Sequence, residues 1–304
     1  MDAIERPTLA AGAVEILATA DPAAKAGLAH ELAGAWRRGA IEPGTAEPLD
    51  RPARPERPLL LAPKEMPKRK AGPGLARRIA LLHALAHIEL NAIDLAWDLI
   101  ARFASLGLPR GFYDDWVEVG DQEAAHFELV TARLAELGAA YGDLPAHDGL
   151  WQAAVETRHD LLARLAIAPL VLEARGLDVT PVMIATLRRH GDEASAAALE
   201  VIYREEIGHV AAGKRWFDWL AAERGLEPGA AFQDLVRRHF RGKLKPPFNT
   251  EARRAAGLEA AFYEPLALPL VGATGTPPST VIPAKAGIQG ERRACGPGFP
   301  LSRE

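Results

Sequence analysis

Two Glu-x-x-His pairs lie inside long helical patterns of the sequence, Glu123 with His126 and Glu206 with His209. A spacing of three residues places both members of a pair on the same face of an α-helix. The other residues of those two faces are apolar or glycine, so the carboxylates and imidazoles are predicted to point inward. Burial of such groups is costly unless they are paired or bind a metal. The two pairs together therefore favour a metal site, although either pair alone would be a weak signal.

Two further helical patterns each carry one inward carboxylate. Glu89 is the lone charge on the apolar stripe of residues 75–106, and Glu173 follows eight apolar or proline positions in residues 149–175. Pro169 is expected to kink the second of these helices, because it lacks the N–H that an α-helix needs. Both carboxylates are predicted to face the same interior as the two pairs.

The spacing of the four carboxylates along the chain is nearly regular. Glu89 precedes Glu123 by 34 residues, and Glu173 precedes Glu206 by 33. The midpoint of each interval falls on a predicted turn. Because residues at one height of an antiparallel hairpin are equidistant from its turn, the sequence predicts two similar hairpins whose carboxylates meet at one level.

These side chains would share one charge-balanced pocket. Two like charges about 4 Å apart repel by roughly 4 kcal/mol at an effective dielectric of about 20, so the carboxylates need compensation. Two divalent cations supply it, and oxygen-rich ligation with one imidazole per metal suits iron or manganese better than a closed zinc site. We therefore predict two iron ions as the cofactor, with manganese as the alternative metal. The predicted metal ligands are Glu89, Glu123, His126, Glu173, Glu206 and His209.

The order of these ligands, one Glu from each of two helices and Glu-x-x-His from the other two, resembles that of the ferritin-like di-iron carboxylate bundles. Four stretches also resemble a bacterial ferritin-like family known only as a domain of unknown function. They are HIELNAIDLAWDLIARF (87–103), YGDLPAHDGLW (141–151), PLVLEARGLDVTP (169–181) and EEIGHVAAGKRWF (205–217). The resemblance implies an all-α fold, a ferritin-like four-helix bundle with extra N-terminal helices and a short C-terminal helix. It also implies that KPPFN (245–249) and the helix after it close the domain near residue 268.

The family pattern implies bridging roles for Glu123 and Glu206 and terminal roles for Glu89 and Glu173. From a centre of this kind we predict an O2-dependent oxidase or hydroxylase. Its substrate would be an unknown small molecule, and an electron donor would be its partner. Tyr203, one turn before Glu206, is a candidate catalytic residue, as a hydrogen-bond donor or an electron relay. The simpler interpretation of Tyr203 is a core residue.

Other functions stay open on the sequence alone. A non-enzymatic bundle stabilised by metal, or an interaction protein, is supported by the proline- and arginine-rich segment 41–74. Iron oxidation and storage fits poorly, because storage cages are built from compact bundles and this chain has a long N-terminal extension. Residues 173–175 (Glu-Ala-Arg) and the two pairs also resemble the di-iron hydroxylase that modifies tRNA. A net charge of −4 does not favour a nucleic-acid partner.

Composition is typical of a soluble, Ala/Leu-rich helical protein: 48% of the 304 residues are hydrophobic and 6% are aromatic. No uninterrupted apolar run approaches the roughly 20 residues that span a bilayer. The N-terminus lacks a basic segment followed by an apolar core, and the single cysteine, Cys295, cannot form an internal disulfide. We therefore expect a cytoplasmic protein without membrane contact, and a homodimer is left open.

Four regions are predicted along the chain. They are an N-terminal helical extension (1–40), a proline- and arginine-rich linker (41–74), the bundle with its closing helix (75–268) and a disordered tail (269–304). The linker either crosses the surface of the bundle in an extended conformation or is a solvated tether. The connection between the second and third bundle helices is either a short turn or a lengthwise crossover.

Two other groups of polar residues are less favoured as ligands. Glu156-x-x-His159 lies in a polar run and is predicted to be a surface or second-layer pair, with replacement of Glu173 as the alternative. A polar flank of the first long helix contains His87, for which a metal role is the lesser alternative. The flank consists of His83, His87, Asn91, Asp94 and Asp98.

Overall fold

The computed structural model describes residues 8–67, 74–241 and 243–267, and within these ranges the protein is all-α. The α-helices are α1 (Leu9–Ala18), α2 (Pro22–Arg37), α3 (Leu75–Phe103), α4 (Arg110–Glu136), α5 (Gly149–Glu156), α6 (Leu161–Ile167), α7 (Ala174–Arg189), α8 (Glu193–Glu223), α9 (Pro228–His239), α10 (Thr250–Ala255) and α11 (Ala260–Tyr263). A π-helical turn, Ala168–Glu173, joins α6 to α7. The predicted disordered tail lies outside the described residues.

The long helices pair as the regular spacing of the carboxylates predicts. Helix α3 packs against α4 and α7 packs against α8, and each pair is joined by a short turn. Gly107 helps to end the first helix of its hairpin, because its φ of 63° is unfavourable for other residues. Helix α4 also packs against α8, and α6 packs against α3 and α8. The inward stripes of the sequence are buried at the contacts between these helices.

The connection between α4 and α6 is a lengthwise crossover. Arg164, at the start of α6, binds Asp98 near the end of α3, which is also the end of the molecule where α4 begins. Arg133, near the end of α4, instead binds Asp192 just before α8, at 2.9 Å. Residues 137–160 must therefore travel the length of the long helices, with α5 on the way.

The third helical pattern differs from the single kinked helix that the sequence predicts. Helices α5 and α6 are separate, and Pro169 lies inside the π-helical turn, where the N–H of Ala174 bonds the carbonyl of Pro169. Helix α7 then runs unbroken through Pro181. Helix α8 approaches this turn closely at Gly213, where a Cβ atom would lie 2.4 Å from the Cβ of Pro169. Glycine is therefore required at this contact.

The polar flank of α3 is buried, which corrects the expectation of an ordinary flank. Helix α1 packs on α3 and α2 packs on α4, so the N-terminal helices cover this side. Asp94, which is fully buried, binds both Lys25 of α2 and Arg54 of the linker. Asp98 is likewise enclosed by Arg102 and Arg164. Paired charges of this kind can be buried because each carboxylate meets two cations.

The described part of the linker lies along the helices rather than in solvent. The N–H of Ala53 bonds the carbonyl of Leu17 at 2.8 Å, and Leu60 forms an isolated β-bridge with Ala146. Residues 41–67 therefore cross the surface of the bundle and do not form a solvated tether.

The run Leu75–Leu106 is long and apolar enough to cross a membrane by length and composition alone, yet 72% of its most apolar window is buried by the rest of the protein. A mostly buried core helix passes the same test of length and composition as a membrane span. The cytoplasmic location stays a prediction.

Candidate metal centre

Four of the six predicted ligands meet in one cluster. Glu89 of α3, Glu123 and His126 of α4, and Glu206 of α8 each offer a ligand atom, and these atoms all lie within 4.8 Å of one another. The first three side chains are buried, and that of Glu206 is 12% exposed. Because the residues come from three helices, only the tertiary packing brings them together. The cluster could hold a metal ion.

His209 joins the cluster through Glu123. Its Nδ1 lies 3.0 Å from Glu123 Oε1 and 3.9 Å from Glu206 Oε2. On the other side of the same carboxylate, His126 Nδ1 lies 3.4 Å from Glu123 Oε2. The two imidazole rings are 5.5 Å apart between centroids. Glu123 therefore lies between both imidazoles, which agrees with the bridging role implied by the family pattern, although that role itself stays a prediction.

Glu173 is buried as predicted, with 8% of its surface exposed. It is the last residue of the π-helical turn, which packs against α6, α7 and α8. Turns of this type are frequent at functional sites, because they realign side chains within a helix. The group of four ligand atoms does not include Glu173, and its assignment as a ligand stays a prediction.

The outer nitrogen of each imidazole has a polar partner that the sequence analysis missed. His126 Nε2 donates to Glu205 Oε2 at 2.7 Å. Gln122 Nε2 donates to Glu118 Oε1 at 2.9 Å, and because a carboxylate only accepts, Gln122 must turn its own oxygen towards His209. His209 Nε2 then donates to that oxygen at 2.8 Å. Both rings are thus held with Nδ1 facing the cluster.

A signal for these partners is present in the sequence. Gln122 directly precedes Glu123, and Glu205 directly precedes Glu206. Each therefore stands one residue before a Glu-x-x-His pair, and each contacts the histidine of the opposite helix. The repeated pattern of a polar residue before Glu-x-x-His could have predicted both contacts once the two helices were placed side by side.

The donor atoms fit a metal ion. Glu123 Oε2 and His126 Nδ1 are buried and lie 3.4 Å apart, and neither atom forms a hydrogen bond of good geometry within the described residues. Orphaned buried polar atoms are rare and call for a ligand or water. Carboxylate oxygen and imidazole nitrogen are together the ligands that suit iron, manganese and zinc. The donor set is therefore suitable for a metal, and the identity of that metal belongs to the proposal below.

The charges of the cluster shift the pKa values of its members. Burial alone would raise the pKa of Glu123, but the charge of His209 and the contacts with both imidazoles hold that pKa below its usual range. Burial alone would lower the pKa of His126, yet the contact with Glu123 and the other nearby carboxylates raises it to about 10. Burial is the largest single effect on the pKa of His209 and lowers it, but the charge and contact of Glu123 and the charge of Glu206 together raise that pKa. Without a metal these contacts favour the protonated form of both rings, and metal binding must displace the protons that face the cluster.

The metal-free protein is expected to become less stable as the pH rises from about 6.5 to about 10. The folded pKa of His126 lies above its unfolded value of 6.5, so its contribution is fully present below that pH and is lost as the pH passes the folded pKa. Urea unfolding of metal-free protein at a series of pH values measures the change. The same series on His126→Gln should show a smaller decline; an equal decline would contradict this cause.

Tyr203 is half-buried, and its hydroxyl oxygen accepts a hydrogen bond from Asn249 Nδ2 at 2.8 Å. Asn249 ends the KPPFN stretch, so this stretch reaches the helix that carries Glu206. The catalytic role of Tyr203 stays a prediction.

The two less favoured groups have other roles. Burial lowers the pKa of His87 to about 3, and its ring nitrogens face the Tyr141 hydroxyl at 2.8 Å and the His147 carbonyl at 3.1 Å. A ligand role for His87 is therefore not supported. Glu156 and His159 are exposed, and Glu156 binds Arg241 at 2.6 Å, so their prediction as a surface pair is confirmed.

Comparison with known proteins identifies relatives whose descriptions name no reaction. A family model described as "Protein of unknown function (DUF455)" matches residues 18–264, which include both Glu-x-x-His pairs. The chain is 44% identical over 210 residues to a Haemophilus influenzae protein described as "Uncharacterized protein", and the alignment covers 67% of this chain and 72% of that relative. No solved structure matches the chain.

Proposed function

We propose that the buried cluster is a dinuclear iron or mixed manganese–iron centre. The chain belongs to the DUF455 family, a protein family of unknown function. The observation that carries the proposal is the meeting of four ligand atoms from three helices within 4.8 Å. His209, 3.0 Å from Glu123, and the buried Glu173 complete the proposed set. Two divalent ions would balance the four carboxylates of this set.

The topology supports a ferritin-like four-helix bundle. Helices α3, α4 and α8, with the continuous segment from α6 to α7 as the fourth member, pack together, and a single lengthwise crossover joins α4 to α6. One long crossover connection and inward Glu and Glu-x-x-His ligands characterise the ferritin-like carboxylate proteins. The family resemblance seen in the sequence points the same way.

The function that we propose is an O2-dependent oxidase or hydroxylase of a small molecule. Two reduced ions bound in the cluster would supply the electrons that activate O2, and an electron donor would restore them. The chain itself orients the ligands, because Glu205 and Gln122 fix both rings with Nδ1 inward. Glu123 and His126 are buried between the helices, which keeps solvent from their side of the cluster. Glu205, whose side chain is 36% exposed, marks the side on which the substrate would approach.

Tyr203 is proposed to hold a proton near Glu206. Asn249 Oδ1 accepts from the N–H of Ala252, so the amide must turn its Nδ2 towards Tyr203. The Tyr203 oxygen is therefore an acceptor in that bond, and its own hydroxyl proton is left to donate elsewhere. A side chain one turn before Glu206 could give this proton to a group bound at the cluster.

A structural metal site without catalysis is the second candidate, and the full burial of Glu123 and His126 favours it. Oxygen uptake separates the two functions. Metal-free protein reloaded anaerobically with Fe(II) and then mixed with O2 should consume O2 faster than the same Fe(II) alone, whereas protein reloaded with Zn(II) should not. Uptake equal to that of free Fe(II), in protein shown to contain the iron, would favour a structural ion. Size-exclusion chromatography then distinguishes an oxidase from a storage cage, which would elute as a large shell.

A further inference from the structure

We propose that the two ion positions of the centre are unequal, and that the position beside His126 fills first because its imidazole is backed by a carboxylate. This inference rests on the proposed dinuclear centre and concerns the two outer partners, Glu205 and Gln122. It assigns them as positioning residues that set the order of metal loading.

The two outer partners occupy equivalent places but differ in charge. Glu205 of α8 accepts from His126 of α4, and Gln122 of α4 accepts from His209 of α8. Each partner precedes the Glu of its own helix's Glu-x-x-His pair. The two contacts are therefore reciprocal. They differ mainly in the acceptor, which is a carboxylate for His126 and an amide oxygen for His209.

A carboxylate strengthens the ligand that it backs. Hydrogen bonds to a charged acceptor are roughly twice as strong as neutral ones, and a carboxylate behind an imidazole raises the basicity of the nitrogen that faces the metal. The inner carboxylates do not distinguish the two rings, because Glu123 contacts both of them. Glu89 lies 3.9 Å from His126 Nδ1, and Glu206 lies 3.9 Å from His209 Nδ1. An ion beside His126 therefore meets a more electron-rich ligand than one beside His209.

The amide on the second side is fixed by the N-terminal helices. Gln122 donates to Glu118, and Glu118 is in turn bound by Arg37 of α2. Arg37 also binds Asp121 at 2.6 Å, so α2 clamps the face of α4 that carries Gln122. The amide cannot reverse without losing its bond to Glu118, and His209 keeps a neutral acceptor. The difference in charge between the acceptors of His126 and His209 therefore follows from the packing of the helices.

Titration of metal-free protein with Co²⁺, followed by calorimetry and by the visible absorbance of the ion, tests the inference. Outer partners of this kind change metal affinity by roughly 10- to 100-fold, so two steps separated by that factor are expected. His126→Gln should abolish the tighter step, and His209→Gln should abolish the weaker one. Loss of the tighter step in His209→Gln would overturn the assignment.

Exchange of the partners gives the sharper test. Glu205→Gln should weaken the first step by roughly 10- to 100-fold and merge the two steps. Gln122→Glu, made together with Glu118→Gln so that two carboxylates do not face each other, should strengthen the second step and merge them from the other side. Glu200→Gln, which removes a carboxylate of α8 whose side chain is 42% exposed, is the matched control and should leave both steps unchanged. Circular dichroism verifies that each variant is folded, and the two exchanges test opposite directions.

Failure of this inference differs from failure of the proposed centre. Two equal steps in the unmodified protein, or two separate steps that persist in Glu205→Gln, would overturn the unequal positions while leaving a dinuclear centre. Binding of no Co²⁺, or of one ion only, would overturn the dinuclear centre itself.

Discussion

Replacement of Glu123 by Gln should leave the helices folded and reduce the bound metal from about two ions per chain to near none. Glu123 lies between both imidazoles, with Oε1 3.0 Å from His209 Nδ1 and Oε2 3.4 Å from His126 Nδ1. The amide has nearly the same size, so packing is preserved, but it lacks the charge that holds two cations. The measurement is elemental analysis by plasma mass spectrometry of protein purified without added iron.

Glu128→Gln provides the matched control for this experiment. Glu128 lies on the same helix, its side chain is 55% exposed, and it is outside the cluster. It should therefore keep the metal content of the unmodified protein. If Glu123→Gln retained two ions, the cluster could not be the site that holds them.

The cluster was predictable from the sequence because its residues follow local helical periodicity. Glu89 and Glu123 each interrupt an otherwise apolar helical stripe, and such a stripe is buried wherever its helix packs. The regular interval between the carboxylates then fixed their common height, because a hairpin with a short turn has only one register. The all-α class and the meeting of four of the six predicted residues could therefore be predicted without coordinates.

The outer partners could not be predicted by the same argument. Glu205 and Gln122 are polar residues beside the apolar stripe. Polar residues are expected there simply because that part of a helix faces water. Their contacts cross from α4 to α8 and depend on the rotation of one helix about the other. Periodicity shows which stripe of each helix faces the core, but it does not show which polar residues at the edges of two stripes contact each other.

The buried flank of α3 was missed for a related reason. Asp94 is buried only because Lys25 and Arg54 approach from segments far away in the chain. A helical pattern shows which face of α3 is apolar, but it cannot show that helices outside the bundle cover the polar face as well. The π-helical turn at Pro169 was similarly hidden, because proline predicts a disturbed helix without specifying which hydrogen bonds replace the lost one.

Removal of the Asp94 carboxylate is expected to destabilise the protein strongly. Asp94 is fully buried and binds Lys25, which is 1% exposed, together with Arg54. Burial already lowers the pKa of Lys25, and the charge of Asp94 opposes this. In Asp94→Ala the two cations would lose their counter-charge in a buried setting, and breaking a buried pair in this way costs about 3–5 kcal/mol. Urea unfolding followed by circular dichroism measures the loss in the free energy of unfolding.

Two further variants determine whether the effect comes from the stranded charges. Asp234→Ala removes a carboxylate whose side chain is 58% exposed and which binds Arg238, and this change should stay within about 0.5 kcal/mol. The double variant Asp94→Leu with Lys25→Met replaces the pair by apolar groups of similar size and should regain part of the loss, because an apolar pair needs no counter-charge. A loss below about 1 kcal/mol in Asp94→Ala would mean that water reaches the two cations, and that the N-terminal helices cover the polar face of α3 less tightly than their contacts indicate.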